Sequence, residues 1–334
     1  MDSQTTRISD KYASSFTSIA SRLAPTKGIA KYGIGITEQQ MIGFTTLKRV
    51  LLGSAAFGFA AHAAASTLTL DVYNPGEKAI FPVTSVLVSG EKEAILVDAQ
   101  FGKSQAEQVV EKIRASGKQL TTIYISHGDP DYYFGLDTLT AAFPKARVLA
   151  SQPTVDHIKQ TVDGKLAFWG PKMGADVPAK TIVPDVLKGD SLILEGQKLQ
   201  VLGLEGPQPD RSFVWIPSIK AVVGGVVVAQ NIHVWMADTQ TPQSHADWLA
   251  TLHSIETLKP QVVVPGHYLG ESGRSVAAVQ FTAAYIKAFD EETAKARDSA
   301  ELIAAMKKRF PALGDESSLE LSAKVAKGEM KWGE

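Results

Sequence analysis

Apolar and polar residues alternate in short runs along the middle of the chain, and this period of two predicts half-buried β-strands. In the first part of the chain we predict strands at residues 67–73, 83–88, 94–99 and 120–125. An amphipathic pattern over residues 103–116 predicts a helix before the last of these strands. That last strand is β-branched and aromatic, so we expect it to be buried.

A second series of apolar runs follows the first. We predict strands at 147–151, 191–194, 199–204, 213–216, 221–227 and 261–264, with helices near 154–161 and over 244–258. Strands that begin each half, with helices between and after them, indicate two sheets packed face to face beneath outer helices. The predicted fold is therefore an α/β (α+β) sandwich of two mixed sheets, formed by residues 67–270.

The end of the chain changes to a helical pattern. We predict helices at 275–297 and 299–309 and a last helical segment around 317–330, separated by Pro311 and Gly314. Residues 271–334 are thus expected to form a helical extension that packs on the sandwich or on a partner subunit. Its Lys- and Glu-rich faces are most simply solvated surface.

The amino terminus contains a segment typical of secretory signals. Lys48 and Arg49 precede an apolar stretch at 50–61, and small residues suited to a signal peptidase follow. We therefore predict a signal peptide at 41–66. Two alternatives are a permanent membrane anchor, which the shortness of the stretch disfavours, and a buried core helix.

This segment begins far from residue 1, whereas signal peptides stand at the amino terminus. Met41 lies at the expected distance before it, so we expect translation to start there. Residues 1–40 would then be disordered or a wrongly assigned extension. A mature chain that begins near Ser66 would be periplasmic or secreted.

Composition narrows the possible partners. The 334 residues carry a formal net charge of −1 with 44% hydrophobic content, which suits a large globular core. The charges are intermixed and form no basic stripe for nucleic acid, so a small-molecule substrate is expected. The chain has no cysteine, which leaves histidine and carboxylate side chains as its strong metal ligands.

Three possible metal ligands follow the strand at 120–125 within five residues, namely His127, Asp129 and Asp131. Ligand sites of α/β proteins collect at the carboxyl ends of strands, so this loop is the candidate site. A simpler interpretation is that Asp129-Pro130-Asp131 shapes a turn, with Asp capping the next helix.

A strand followed by His-x-His-x-Asp-His is the signature of the metallo-β-lactamase superfamily of binuclear metal hydrolases, and this chain resembles it with His-x-Asp-x-Asp-Tyr. His127 matches the first ligand and Asp131 the aspartate. Asp129 and Tyr132 stand where the family has its second and third histidines. The resemblance spans roughly residues 83–270 and implies the family's αββα sandwich.

The family's other ligand positions are only partly present. His267 ends a Pro-Gly-His turn after a late strand and matches a family ligand. The mid-chain loop, where the family has a histidine ligand, has none. Glu205 or Asp210 would substitute for it as an oxygen ligand, and the alternative is that both are ordinary loop carboxylates. Val226 stands where the family has its bridging aspartate, and an apolar side chain cannot bridge two cations.

The ligands that remain are His127, Asp129, Asp131 and His267. Two nitrogens and two carboxylates suit one divalent metal better than two. Such a set fits zinc with an open position, or iron or manganese, and the possibility that no metal binds stays open.

The resemblance also implies roles for neighbouring residues. Asp131 would accept a proton from bound water, and Tyr132 or His233 would stabilise the oxyanion or leaving group. Trp235 would wall the substrate pocket, and Asp98 would support the metal loop as a hydrogen-bond acceptor. Core packing for Trp235, a surface hydrogen bond for His233 and a strand-end cap for Asp98 are the plain alternatives.

The remaining histidines of the mature chain, His157, His245 and His253, lie in helical segments without ligand neighbours, so we interpret them as structural. Together the patterns predict a periplasmic hydrolase with a remodelled, single-metal centre that acts on a small ester, lactone or thioester. The alternative is a metal-free relative that binds a ligand or partner. Redox chemistry at a single iron is a third possibility. The oligomeric state is left open.

Overall fold

The structure is a computed structural model that describes residues 67–332. The predicted signal peptide and the residues before it lie outside this range. None of the helices within residues 67–332 has the length and apolar composition that a bilayer span requires.

Thirteen strands are found among the described residues. In chain order they are β1 (Thr69–Tyr73), β2 (Ser85–Ser89), β3 (Glu93–Val97), β4 (Gln119–Ile125), β5 (Arg147–Ala150), β6 (Asp185–Val186), β7 (Ser191–Leu194), β8 (Gln197–Leu202), β9 (Phe213–Ile216), β10 (Ala221–Val223), β11 (Ala229–Gln230), β12 (Val262–Val263) and β13 (His267–Tyr268).

Eight α-helices are found in the same part of the chain. They are α1 (Lys103–Ser116), α2 (Pro130–Tyr133), α3 (Leu136–Ala142), α4 (Gln152–Met173), α5 (Pro242–Thr257), α6 (Ala277–Lys295), α7 (Ser299–Arg309) and α8 (Glu316–Ala326).

The strands form two large sheets and one small one. The first sheet has the order β1-β2-β3-β4-β5-β6 and the second the order β12-β10-β9-β8-β7. In the first sheet β1, β2 and β3 are antiparallel, and β3 to β6 run parallel. In the second, β7 to β10 are antiparallel and β12 joins parallel to β10. Strands β11 and β13 form a separate parallel pair.

Alternation along the strands determines which layer each side chain joins, because successive residues of a strand point to opposite faces. In β3, Ile95 and Val97 join the core between the two sheets, whereas Leu96 joins the core beneath the helices. In β9, Val214 and Ile216 face the other sheet, whereas Phe213 faces outward. The four layers therefore share three hydrophobic cores.

Helices cover the outer face of each sheet. Buried residues of α1, α3 and α4 pack on the first sheet, and buried residues of α5 to α8 pack on the second. The carboxyl-terminal helices α6, α7 and α8 thus join the sandwich core through side chains such as Phe289, Leu302 and Leu319. This arrangement confirms the predicted αββα sandwich of two mixed sheets with outer helices.

The largest departure from the predicted elements is α4. The sequence predicts a short helix near 154–161, but α4 is 22 residues long and continues past Gly164 to Met173, with Pro171 inside it. Glycine and proline lower helix propensity, which is why the pattern underestimates its length. Because of the additional turns, α4 reaches the candidate site.

Candidate active site

The candidate loop is held by Asp98, which directly follows β3 and is fully buried. The Asp98 carboxyl accepts a hydrogen bond from the backbone N–H of Ser126 at 2.8 Å and lies 2.7 Å from the Ser126 hydroxyl. The same hydroxyl accepts from the N–H of Gly225 at 2.7 Å. Burial raises the pKa of Asp98 to about 7, although the Ser126 hydrogen bonds oppose this shift. Asp98 therefore holds Ser126, which in turn joins the loop after β4 to the segment that follows β10.

His127 is buried and both of its ring nitrogens lie next to oxygen acceptors. Nδ1 is 3.0 Å from the backbone carbonyl of Asp210, and Nε2 is 3.0 Å from Oδ2 of Asp129. A carbonyl and a carboxylate only accept, so both contacts are satisfied when both nitrogens carry hydrogen. Burial lowers the pKa of His127, but the charge of Asp129 outweighs it and the pKa is raised. While Nε2 donates to Asp129, it has no lone pair for a metal.

Asp129 also accepts from the ammonium of Lys165 on α4. Burial alone would raise the pKa of Asp129, yet Lys165 and then His127 hold it well below its usual value. Asp129 precedes α2, but its side chain makes no capping hydrogen bond. Its carboxylate is thus used in the site and not in shaping the turn.

His267 and Asp131 form a second pair. Nε2 of His267 is 2.7 Å from Oδ2 of Asp131, and Nδ1 is 3.2 Å from the hydroxyl of Tyr132. The backbone positions His267 through the pairing of β13 with β11. Gly266 is needed before it, because a Cβ there would lie 2.2 Å from the carbonyl oxygen of Gly225 and 3.0 Å from the Tyr132 hydroxyl.

The phenol ring of Tyr132 lies between the two histidines. Its centroid is 5.3 Å from that of His127 and 5.5 Å from that of His267, and both contacts are edge to face. Tyr132 is fully buried, and burial raises its pKa well above the usual value, with Asp131 adding to the shift. It therefore stays a neutral phenol that orients His267.

A cavity opens beside these pairs, with Asp129, Asp131, Lys165 and His267 on its wall. Aromatic side chains form much of the rest. They are Phe81, Trp169, Trp235, Trp248 and Trp332.

The aromatic wall is fixed by Asp238. Its two carboxylate oxygens accept from the indole N–H groups of Trp235 and Trp332, each at 2.6 Å. The two indole rings are in contact, with centroids 5.3 Å apart, and Trp332 also contacts Phe168. The carboxyl-terminal segment of the described chain therefore closes one side of the cavity.

A further buried cation lies behind this wall. The guanidinium of Arg211 stacks on the ring of Trp248 at 4.3 Å, and its Nε and Nη2 have no hydrogen-bond partner among the described residues. Burial lowers its pKa, and Asp238 opposes the shift. Arg211 adds positive charge near Asp129 and Asp238.

These donors do not fit the divalent metal that the family resemblance implies. The close contacts among the four predicted ligands are two pairs, His127 with Asp129 and His267 with Asp131. Among residues 67–332, no three or more His, Asp or Glu side chains form a group that could hold a metal ion. The Lys165 ammonium also lies on Asp129.

The residues at the family's mid-chain and bridging ligand positions also place no ligand side chain against the predicted ligands. Asp210 contributes its backbone carbonyl to His127, and no contact of its carboxylate with the predicted ligands is seen. Val226 lines the cavity, and its side chain offers no ligand atom.

The structure separates the residues predicted to be catalytic. Asp131 and the predicted wall residue Trp235 line the cavity. Tyr132 is buried behind them, in contact with His267. His233 is 1% exposed, and its Nδ1 is 3.1 Å from the hydroxyl of Tyr285 on α6. The predicted contact of His233 with substrate is therefore not supported, because its ring is buried against α6 instead of the cavity.

Sequence reasoning missed two residues on α4. His157, interpreted as structural, lies 3.8 Å from Asp129 and 3.0 Å from the ammonium of Lys165. Their spacing of eight residues places them two helical turns apart, on neighbouring positions of one helix face. That spacing was a usable signal, but only the fold shows that this face meets Asp129.

Known proteins resemble this chain at the level of family and fold. A family model described as the metallo-beta-lactamase superfamily matches residues 80–267. The metallo-beta-lactamase family protein TTHA1429 from Thermus thermophilus is 17% identical with a TM-score of 0.56, covering 78% of this chain and 91% of that chain. A metallo-beta-lactamase from Pontibacter korlensis is 19% identical with a TM-score of 0.48, covering 67% of this chain and 96% of that chain.

One curated relative shares a shorter stretch. The uncharacterized protein YobT of Bacillus subtilis (strain 168) is 36% identical over 74 residues, which is 22% of this chain. The chain thus matches about a third of that relative, 31% of its length. Because TTHA1429 is 17% identical to this chain, the similarity between the two concerns the fold alone.

Proposed function

The chain belongs to the metallo-β-lactamase superfamily of hydrolases, and from this membership we propose that it hydrolyses a small ester, lactone or thioester with Asp131 as the general base. The observation that carries the proposal is the Asp131–His267 pair, joined at 2.7 Å, on the wall of an aromatic cavity. A carboxylate held by a histidine on a partly enclosed wall is an arrangement that can take a proton from water.

Asp131 accepts a hydrogen bond from His267 on Oδ2, so its second oxygen is the acceptor for water. Water attacks the acyl carbon, and its proton passes to Asp131 as the new carbon–oxygen bond forms. The proton then passes to the leaving alkoxide or thiolate as the original acyl bond breaks. The Lys165 ammonium on the cavity wall donates its hydrogens to Asp129, His157 and Gly128, so it favours the negative charge that develops on the carbonyl oxygen through its positive charge and not through a hydrogen bond.

The size and lining of the cavity support a small acyl substrate. Its volume is about 60 Å³, which accommodates the reacting group of a small molecule, since one buried water needs about 10–15 Å³. The indole rings of Trp169, Trp235 and Trp332 offer apolar faces to an acyl chain. We therefore expect preference for apolar acyl groups over charged ones.

Hydrolysis is tested by assaying the full-length purified protein with p-nitrophenyl esters, lactones and thioesters. We expect turnover that Asp131→Asn abolishes and that Asp156→Asn leaves unchanged, because Asp156 is exposed on α4 and the cavity lining does not include it. Equal activity in both variants would remove Asp131 from the reaction.

The single-metal centre predicted from the sequence is the competing form of this proposal. A zinc ion on His127, Asp129, Asp131 and His267 would replace the contact of His127 Nε2 with Asp129 and that of His267 Nε2 with Asp131. Elemental analysis of the purified protein separates the two forms. One equivalent of zinc, lost together with activity in His127→Ala or His267→Ala, would favour the metal-dependent form.

Ligand binding without catalysis is the second candidate function. The observation that favours it is that the ring nitrogens of both predicted histidine ligands already have protein partners. Saturable binding of short-chain fatty acids or esters without turnover, weakened by Trp235→Ala, would support this function.

We also propose that the mature protein acts in the periplasm or is secreted. The signal-like segment at 41–66 supports this location. Cell fractionation with amino-terminal sequencing tests it, with a mature terminus near Ser66 as the expected result. A full-length protein retained in the cytoplasm would contradict it.

A further inference from the structure

Lys165 has an unusual environment for a lysine. It lies on α4, and its side chain is 20% exposed while that of its partner Asp129 is 18% exposed. Exposed lysine–carboxylate pairs are mobile and contribute little. This pair is mostly enclosed and lies at the centre of the candidate site.

The ammonium of Lys165 meets three acceptors. They are Oδ1 of Asp129, Nε2 of His157 at 3.0 Å and the carbonyl of Gly128 at 3.4 Å. An ammonium has three hydrogens to donate and no lone pair, so these contacts use its full capacity. The contact with His157 requires the lone pair of Nε2.

These acceptors are the atom types that bind metal cations in proteins. Carboxylate oxygen, imidazole nitrogen and backbone carbonyl are common ligands of divalent ions. Here they surround an ammonium instead. The carboxylate that it meets belongs to Asp129, which stands where the family signature has a histidine.

We infer that Lys165 is an internal replacement for a metal cation in this chain. Its ammonium neutralises Asp129 and occupies the lone pairs of His157 and Gly128, so that the loop after β4 keeps its shape without a metal ion. The inference concerns the same cavity as the proposed function, but it does not depend on the reaction.

Charge supports this inference. Asp129 already has the Lys165 ammonium on its carboxylate, and both side chains are mostly enclosed. A divalent ion at Asp129 would add two positive charges next to this ammonium, and like charges repel strongly where solvent is largely excluded. A metal can therefore bind there only after the ammonium is removed.

The inference is tested with Lys165→Met, which keeps the length of the side chain and removes its charge. The matched control is Lys172→Met, because Lys172 is on the same helix with its ammonium on the ring of Phe168 and the carbonyl of that residue. Both variants and the wild type are purified as full-length proteins, treated with EDTA and titrated with Co²⁺ and Zn²⁺. Metal content, visible absorption of Co²⁺ and Tm are measured.

We expect wild type and Lys172→Met to hold far less than one metal per chain and to keep their Tm in EDTA. Lys165→Met should bind about one Co²⁺, with absorption bands typical of imidazole and carboxylate ligands, and its Tm should rise with metal. Stoichiometric metal in the wild type, with a Tm that falls in EDTA, would overturn the inference. A folded Lys165→Met that binds no metal would also overturn it.

If Lys165→Met does not fold, the EDTA and Zn²⁺ titrations of the wild type decide the inference, and Lys165→Arg provides a folded variant that keeps the charge. Lys165→Arg should exclude metal as the wild type does. The outcomes are separate from those of the hydrolysis assay. A metal-free wild type that hydrolyses none of the assayed substrates would contradict the proposed function and leave the role of Lys165 in place.

Discussion

The hydroxyl of Tyr132 lies 3.2 Å from Nδ1 of His267, across a separation of 135 residues in the chain. This contact joins α2, which follows β4 of the first sheet, to β13. The opposite ring nitrogen of His267 holds Asp131 at 2.7 Å. A buried phenol, an imidazole and a carboxylate thus form one hydrogen-bonded row that ends at the cavity.

Removing the phenol oxygen should weaken this row without changing the packing of the ring. In Tyr132→Phe, His267 loses the hydrogen bond to Nδ1 and is less firmly oriented towards Asp131. Loss of one buried hydrogen bond costs about 1–3 kcal/mol, so we expect kcat to fall about tenfold or more while KM changes little. Steady-state kinetics on the best ester substrate, with the pH profile of kcat, measure this.

Tyr133→Phe is the matched control. Tyr133 is the neighbouring residue and is also fully buried, but its hydroxyl has no hydrogen-bond partner among the described residues. Removing that oxygen should leave kcat and its pH profile as in the wild type. Equal losses in both variants would mean that packing, and not the contact with His267, accounts for the effect of Tyr132→Phe.

Asp98 should make stability depend on pH. Its pKa is raised from 3.8 to about 7, mainly by burial, so the folded protein holds a proton that the unfolded chain releases. The stability from this group is fully present below about pH 4 and is lost as pH rises through 7. Between these pH values the free energy of unfolding falls by up to about 1.4 kcal/mol per pH unit. Urea unfolding of wild type and Asp98→Asn from pH 4 to 8 measures it.

In Asp98→Asn the amide retains an oxygen for the N–H of Ser126 and donates to its hydroxyl. We therefore expect the free energy of unfolding of the variant to fall less between pH 4 and 7 than that of the wild type. Two curves that stay parallel over this range would show that Asp98 is ionised in the folded protein at neutral pH.

The sequence was sufficient to predict the sandwich because the strands carry a period of two that needs no long-range information. Ile95 and Leu96 alternate between two cores as the pattern requires. His127 and His267 were found because each follows an apolar strand within a recognisable local motif.

What the sequence did not predict depends on distant partners. Lysine is common on helix surfaces, so the spacing of Lys165 from His157 indicated a shared site only when α4 was found to reach Asp129. Trp332 is near the carboxyl end, where no pattern indicates that it would share Asp238 with Trp235. His233 had a suggestive His-x-Trp context, but its burial against Tyr285 is set by α6, which lies far along the chain.

The aromatic wall should determine substrate preference. Trp332→Ala removes the indole that packs on Trp235 and donates to Asp238, and so opens one side of the cavity. We expect KM for esters with apolar acyl chains to rise several-fold, with a smaller change in kcat, because ring contacts of this kind contribute about 0.5–1.5 kcal/mol. Trp332→Phe retains a ring without the N–H donor and should show a smaller increase. An unchanged KM in Trp332→Ala would exclude this wall from substrate binding.

His233 should affect stability and not catalysis. Its ring is buried against Tyr285, and burial lowers its pKa below the usual 6.5, although Glu316 opposes the shift. The folded protein therefore disfavours the charged form, so stability from this group is present above pH 6.5 and is lost as pH falls through the lowered pKa. In His233→Gln we expect Tm at pH 8 to fall and its decrease from pH 7 to 5 to become shallower, while kcat stays near the wild-type value. Thermal unfolding across this pH range, together with ester kinetics at pH 8, provides the measurement. A loss of kcat comparable to that of Asp131→Asn, with an unchanged Tm, would place His233 in the reaction after all.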